Sequence, residues 1–376
     1  MRLDGSRDTR GTTNLLKGLA ILAVLLAHFF SNYDSDFYGR WLFEYAISII
    51  SIFFVLSGYG LYQSLERRFA AAATGSGRVL LRFAYDRAIR IYPFYWLSLI
   101  CVGIFIHPVP DYDRLFEPNL KSLAVWLGAP VVHYTLLWFI TAIIQCYWLA
   151  PLFYFLLKKL GVARYGLLML FLTGLTLLVS WTFYLRQFAL FHLPAMGEPQ
   201  AYFFKGYFLG HLLLFAMGMM VAPLAAAVGS RLKHGLVFLG SAVLFSGLIY
   251  ALRFVDFLFP HSELYLVPVL FASAVLFCFC AIAYAPRMPL LQPLVMRMGK
   301  LAFPLYLFHY QWFAILFDLG LIRYEFPGRS LAAFLISLPL FVLVLIALNA
   351  GVKRSRKWAD IVLAGKSKSE EITAEA

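Results

Sequence analysis

The sequence predicts an all-α fold: a polytopic integral membrane bundle of about ten transmembrane helices with both termini cytoplasmic. Three observations predict it. Of the 376 residues, 62% are hydrophobic and only 14% are charged, whereas a soluble domain carries about 25% charged residues. Mean hydropathy is +0.78, which is more apolar surface than a globular core of this length can bury, so lipid takes the rest. Finally, lysine and arginine fall unevenly between alternate gaps of the apolar pattern, as membrane topology requires.

Taken in order, the apolar segments are 14–33, 41–65, 88–107, 131–157, 165–183, 207–228, 233–254, 263–285, 300–318 and 329–351. Each is long enough to span a bilayer. The first, with its run from Leu15 to Phe30, reads as a retained helix. The following Ser31-Asn32-Tyr33-Asp34 offers no small-residue cleavage site. Between the second and third segments lies one sizeable loop, Glu66 to Arg87, with an Ala-rich stretch and Gly75-Ser76-Gly77. The stretch 184–206 is interrupted by Arg186, Pro194, Gly197 and Pro199, so it reads as a loop or interfacial segment. Residues 1–365 form a single transmembrane domain, and the polar residues 366–376 form a disordered tail.

Numbering the gaps alternately from a cytoplasmic N-terminus gives the topology its test. The inside gaps hold 22 basic residues. The outside gaps hold eight: Arg40, Arg114, Lys121, Arg186, Lys205, Arg253, Arg323 and Arg329. Miscounting one helix would scramble that asymmetry. The net charge of +13 is therefore a topology signal, and nucleic acid is not an expected partner. Cys101, Cys146, Cys278 and Cys280 all lie in apolar segments without a CxxC. They read as packed small hydrophobes, with no structural zinc and no disulfide framework. No internal repeat supports an inverted-repeat transporter.

Polar groups deep in a membrane are costly, so each is a functional candidate. His28 stands roughly fourteen residues into the first span, about 21 Å from its inner end and past the midplane. His309 follows Lys300 by nine residues in the ninth span. A hydrogen bond between helices accounts for a lone membrane histidine equally well. Arg87 and Arg90 are i, i+3 partners on one helical face at the cytoplasmic mouth. They suit a bidentate grip on phosphates, or an ordinary basic anchor. The run Phe53-Phe54-Val55-Leu56-Ser57-Gly58-Tyr59-Gly60 allows close backbone approach to a second helix or to a ligand arm. Asp34, Asp36 and Glu44 gather at the outer ends of the first two spans, where one of them could orient an imidazole or all could simply be solvated.

These residues carry a resemblance. The run Asn14-Leu15-Leu16-Lys17-Gly18-Leu19-Ala20, ending at His28 eleven residues after Lys17, is similar to the opening of the membrane acyltransferase-3 family. Phe53 to Tyr59 resembles its second-helix signature, and Arg87 and Arg90 its RxxR element before an aromatic-proline turn at Tyr92-Pro93. Trp138, with Pro151 thirteen residues on, matches its fourth-helix pattern. Gly299-Lys300-Leu301-Ala302-Phe303-Pro304-Leu305-Tyr306-Leu307-Phe308-His309 resembles its late glycine-to-histidine motif. The motifs keep the family's order over nearly the whole chain. Lys17 stands where the family usually has Arg, Asn14 where it often has Asp, and Ile143 and Ile144 where many members carry Glu, leaving Gln145 as the nearest polar group.

The resemblance implies an acyl-CoA-dependent O-acyltransferase of the bacterial inner membrane, acting on a lipid-linked or surface glycan. Acyl-CoA, with acetyl the commonest acyl group, is a co-substrate; no cofactor is bound permanently and no metal is expected. Lys17, Arg87 and Arg90 would hold the phosphates, with the pantetheine arm passing Ser57 and Gly58. His28 would act as general base or carry the acyl group covalently. His309 is a second catalytic candidate, with Glu44, Trp138 and Tyr306 binding substrate or supporting the site. Membrane lipid is the remaining partner. The rival readings are a transporter or flippase for lipid-linked saccharides without acyl transfer, a membrane O-acyltransferase of the unrelated histidine-dependent superfamily, and a structural scaffold.

Overall fold

The computed structural model describes residues 9–31, 38–72, 75–106, 115–129, 137–189, 207–228, 237, 239–248, 263–284, 292–323 and 327–374. Regular structure among them is helical: α1 (Thr9–Ser31), α2 (Tyr38–Ala71), α3 (Ser76–Phe105), α4 (Leu120–Leu127), α5 (Trp138–Ala189), α6 (Tyr207–Val228), α7 (Glu263–Tyr284), α8 (Gln292–Lys300), α9 (Ala302–Asp318) and α10 (Pro327–Ala374). A further apolar helical stretch covers Leu239–Leu248.

Among the described residues, five helices are long and apolar enough to cross a membrane: Gly11–Phe30, Ile49–Ala71, Ser76–Phe105, Trp138–Thr176 and Gly328–Arg354. Shorter apolar helices are His211–Ala227, Leu239–Leu248 and Ala272–Ala283. The chain is an integral membrane protein. Two of the ten expected segments, 131–157 and 165–183, meet inside α5, where Gly161 breaks the helix with φ 74° and ψ 167°. Only a residue without a Cβ adopts that φ cheaply. The ninth expected segment is α9, set off from α8 by the turn at Leu301.

Two expectations change. The loop from Glu66 to Arg87 is mostly helix, since α2 runs on to Ala71 and α3 starts at Ser76. α2 ends inside the Ala-rich stretch, with Ala72 already outside the helix. The polar residues 366–374, expected to be disordered, continue α10, and their Lys, Glu and Ala content favours helix. Of the expected loop 184–206, residues up to Ala189 belong to α5 and the rest lie outside the described residues.

α1 is the hub, packed against α2, α8, α9 and α7, while α2 lies on α6 and α6 on α5. Two reciprocal glycine pairs set the closest crossings. A Cβ on Gly18 would overlap the Val295 carbonyl oxygen, and one on Gly299 would overlap that of Asn14, so α1 and α8 meet backbone to backbone. Gly58 stands against the Phe215 carbonyl and Gly218 against that of Val55, which does the same for α2 and α6. Lipid supplies no hydrophobic drive between helices, so small residues that admit close van der Waals packing take its place.

Ion pairs tie the helix ends. Arg68 of α2 reaches Asp86 of α3 at 2.6 Å, with Arg82 at 3.8 Å on the other carboxylate oxygen. Glu66 accepts from Lys158 at 2.9 Å and from the Tyr154 hydroxyl at 3.0 Å, joining α2 to α5.

The segment after α3 turns back along it. The Phe116 ring lies over Gly103, and the end of α4 reaches Tyr92, sixteen residues after Ser76 and thirteen before Phe105, the middle of a membrane-spanning helix. Four helix-terminal carbonyls would be orphaned there. Each finds a donor. Ala129 N–H bonds the Ala124 carbonyl at 2.8 Å and Gly128 N–H, left-handed at φ 66°, bonds that of Val125 at 2.9 Å. From α3, the Tyr95 hydroxyl also bonds Val125 (2.6 Å), the Trp96 indole bonds Trp126 (2.9 Å) and the Tyr92 hydroxyl bonds Leu127 (3.0 Å). At the other end Asn119 caps Ser122 N–H at 2.9 Å, and Leu120, Leu123 and Leu127 face outward. We expect Trp96→Phe, which takes the indole donor from the Trp126 carbonyl, to cost about 1–3 kcal/mol. A lowered unfolding midpoint in detergent by circular dichroism checks it; an unchanged midpoint means the bond is not needed.

Candidate active site

α9 is apolar except for a short polar run, and its 3.6-residue period sets Tyr306, His309 and Tyr310 on one side. His309 is fully buried. Its Nδ1 lies 2.5 Å from the Tyr306 carbonyl oxygen. A carbonyl only accepts, so Nδ1 carries the hydrogen and Nε2 holds the lone pair. That Nε2 is buried and has no hydrogen-bond partner among the described residues.

α1, packed against α9, brings His28 to the same place. The two imidazole centroids are 4.9 Å apart, although 281 residues separate them in the chain. The Tyr310 hydroxyl lies 2.9 Å from His28 Nδ1, and its ring sits 4.9 Å from His28 and 4.3 Å from His309. Two imidazoles and a phenol thus form one cluster inside the bundle. The arrangement can take up and pass on a proton, and it can hold an oxygen nucleophile beside a basic nitrogen.

Behind α9, α3 supplies a polar brace. Gln311 Nε2 donates to the Ser98 carbonyl (3.1 Å) and hydroxyl oxygen (3.0 Å), and that hydroxyl donates to the Leu307 carbonyl (2.9 Å). On another side the Tyr306 ring lies tilted against Phe139 at 4.8 Å, and Phe139 meets Phe54 at 5.1 Å. Phe54 and Trp138 flank His211 at 4.5 and 5.5 Å. The expected support residues Tyr306 and Trp138 therefore belong to one aromatic layer beside the histidine pair. Tyr310, Gln311 and the buried His211 were not singled out in the sequence. Their signal was the one that marked His28: a polar side chain in an apolar helix.

The basic candidates form a second cluster. Lys17 lies within electrostatic reach of both Arg90 and Arg87. Arg87 is held by Ser64 Oγ at 3.2 Å and lies 5.3 Å over the Phe83 ring, and its buried Nε has no partner among the described residues. Asp86 is already neutralised by Arg68 and Arg82. Arg90 is exposed. The two clusters have a matched offset. Lys17 precedes His28 by eleven residues on α1, and Arg87 precedes Ser98, at the brace beside His309, by eleven on α3. Eleven residues advance a helix by about 17 Å.

The remaining expected positions are less central. Gly58 lies at the α2–α6 crossing, where the direction of a Cβ is filled by the Phe215 carbonyl, as the helix-packing alternative anticipates. Its neighbour Ser57 is half-buried. Glu44 belongs to α2, but its side chain lies outside the described residues. Ile143 and Ile144 are buried, and beside them Gln145 has a buried Oε1 without a partner among the described residues. Among the described residues, no group of three His, Cys, Asp or Glu could hold a metal ion.

Neither a curated protein nor a solved structure matches the chain. The family model described as Acyltransferase domain (Acyl_transf_3) matches residues 12–349. That match runs from the start of α1 into α10 and takes in the histidine pair and the basic cluster. By that coverage the chain belongs to the acyltransferase-3 family of membrane acyltransferases.

Proposed function

We propose that the protein moves an acyl group, acetyl in the first instance, from cytoplasmic acyl-CoA to a hydroxyl of a lipid-linked or surface glycan. Its setting in this reading is the bacterial inner membrane, with ten spans and both termini cytoplasmic, as the distribution of 22 inside and eight outside basic residues suggests. The observation that carries the reading is the matched eleven-residue offset between the basic cluster and the histidine pair. It suits a ligand with phosphates at one end and a reactive thioester at the end of a long arm.

In this scheme Lys17, Arg87 and Arg90 hold the phosphates, with the guanidinium fork of Arg87 as the directional contact. The acceptor hydroxyl oxygen attacks the thioester carbonyl carbon while its proton passes to an imidazole nitrogen of the His28–His309 pair. The carbon–sulfur bond then breaks, and the imidazolium returns the proton to the departing thiolate. An ester and CoA thiol are the products, and the imidazole is regenerated. No resident cofactor is required.

The test is turnover of acetyl-CoA by the full-length protein purified in detergent, together with mass spectrometry of surface glycans from a deletion strain. We expect thiol release, and a missing acyl mass that identifies group and polymer together. Arg87→Ala should raise KM for acetyl-CoA by about 10- to 100-fold, since a hydrogen bond to a charged group contributes about 1.5–3 kcal/mol. Arg87→Lys should fall between, keeping the charge without the fork. A protein inert toward acetyl-CoA that still moves lipid-linked sugars would overturn the reading in favour of a flippase.

A further inference from the structure

We infer that Tyr310 is the positioning residue of His28: its phenol oxygen accepts the Nδ1 hydrogen and so presents Nε2 as the basic nitrogen. The inference deepens the acyl-transfer reading and rests on it. The geometry begins with α9, where Tyr306, His309 and Tyr310 follow at i, i+3 and i+4. The Tyr306 carbonyl fixes His309 through Nδ1. One residue on, the phenol reaches across to α1 and meets His28 at the same ring position, Nδ1, at 2.9 Å. One helix thereby constrains both imidazoles, the first through its backbone and the second through a side chain.

The phenol is itself held. It packs on His309 at 4.3 Å and on His28 at 4.9 Å, and a tyrosine has only two side-chain torsions to fix. A phenol also suits the depth. A carboxylate in this place would have to be desolvated as an anion, at far greater cost than a neutral hydroxyl. Among the described residues, His309 and Tyr310 of α9 are titratable rings that pack against His28. Arg297 and Lys300 of α8 belong to the opposite end of α1, where Gly299 meets Asn14. From α2, Glu44 has a side chain outside the described residues.

The direction of the bond decides the chemistry. If the phenol accepts, Nδ1 bears the hydrogen and Nε2 is a base; if it donates, Nε2 bears the hydrogen and His28 cannot begin as a base through that atom. An acceptor on Nδ1–H also favours the imidazolium, whereas a donor favours the neutral ring.

The experiment is Tyr310→Phe in the full-length protein, with acetyl-CoA turnover measured across pH. We expect kcat to fall about 10- to 100-fold, the scale of a misoriented catalytic group. KM for acetyl-CoA should stay within about twofold, and the acid limb of the pH–rate profile should move to lower pH, because the lost acceptor had favoured the protonated ring. A limb that moves to higher pH means that the phenol donates and overturns the assignment. An unchanged profile with full kcat overturns it as well. Should the phenylalanine variant fail to fold, the ¹⁵N shifts of labelled His28 in the wild-type protein decide the direction of the bond: hydrogen on Nδ1 is expected, and hydrogen on Nε2 overturns the inference. A wild-type protein inert toward acetyl-CoA would remove the acyl-transfer reading instead. In that event the ¹⁵N shifts of labelled His28 still decide the tautomer, with hydrogen on Nδ1 expected and hydrogen on Nε2 overturning it.

Discussion

His28→Ala is expected to lower kcat for acyl transfer by about 10²–10⁴-fold, the usual worth of a positioned acid–base group. KM for acetyl-CoA should be nearly unchanged, because Lys17 and Arg87, which hold the phosphates in the proposed scheme, stand about 17 Å away along the helices. His309→Asn should cost a similar factor for a different reason. An asparagine amide can still donate toward the Tyr306 carbonyl, so the local fold survives, but the lone pair that Nε2 presents is lost. The double variant should be little slower than the slower single one, since groups that act as a unit are strongly non-additive. Initial rates on detergent-purified protein with matched circular dichroism spectra decide the matter. A fully active His28→Ala protein removes that imidazole from the mechanism.

The second large effect lies at the α1–α8 crossing. Gly299→Val should prevent recovery of folded protein, seen as loss of the monodisperse peak on size-exclusion in detergent. The added side chain would meet the Asn14 backbone, carbonyl and Cα together, and backbone in a packed helix has nowhere to go. Gly18→Val should do the same against Val295 from the other side. The milder Gly299→Ala is the informative variant. α8 leads through Leu301 directly into α9, so wedging α8 off α1 shifts His309 relative to His28. We expect its helix content to persist while kcat drops. If both valine variants purify as wild type, the two helices are not in backbone contact.

The sequence made the membrane class, the two histidines and the basic residues visible, because in so apolar a chain each polar group stands out. What it could not supply was pairing. His28 and His309 are separately legible, but nothing local says that α1 and α9 lie side by side or that Tyr310 reaches between them. Gly58 shows the reverse case. Both a ligand arm and a second helix explain a glycine there, and the choice depends on α6, which lies more than 150 residues downstream and brings Phe215 against it. The basic residues behaved in the same way. Arg68 and Arg82 were counted as topology signals, yet they are also counter-charges of Asp86. α4 was missed because eight residues cannot span a bilayer and make no periodic signal. Its cap residues, Asn119 and Gly128, were nevertheless in plain view.

The donor ladder from Tyr92, Tyr95 and Trp96 to the last turn of α4 also fixes the register between the two helices. Once seated, α4 cannot slide along its neighbour without breaking three bonds together. The pair therefore shifts as one rigid unit, and any tilt of α3 that displaces Arg87 must carry this short helix with it.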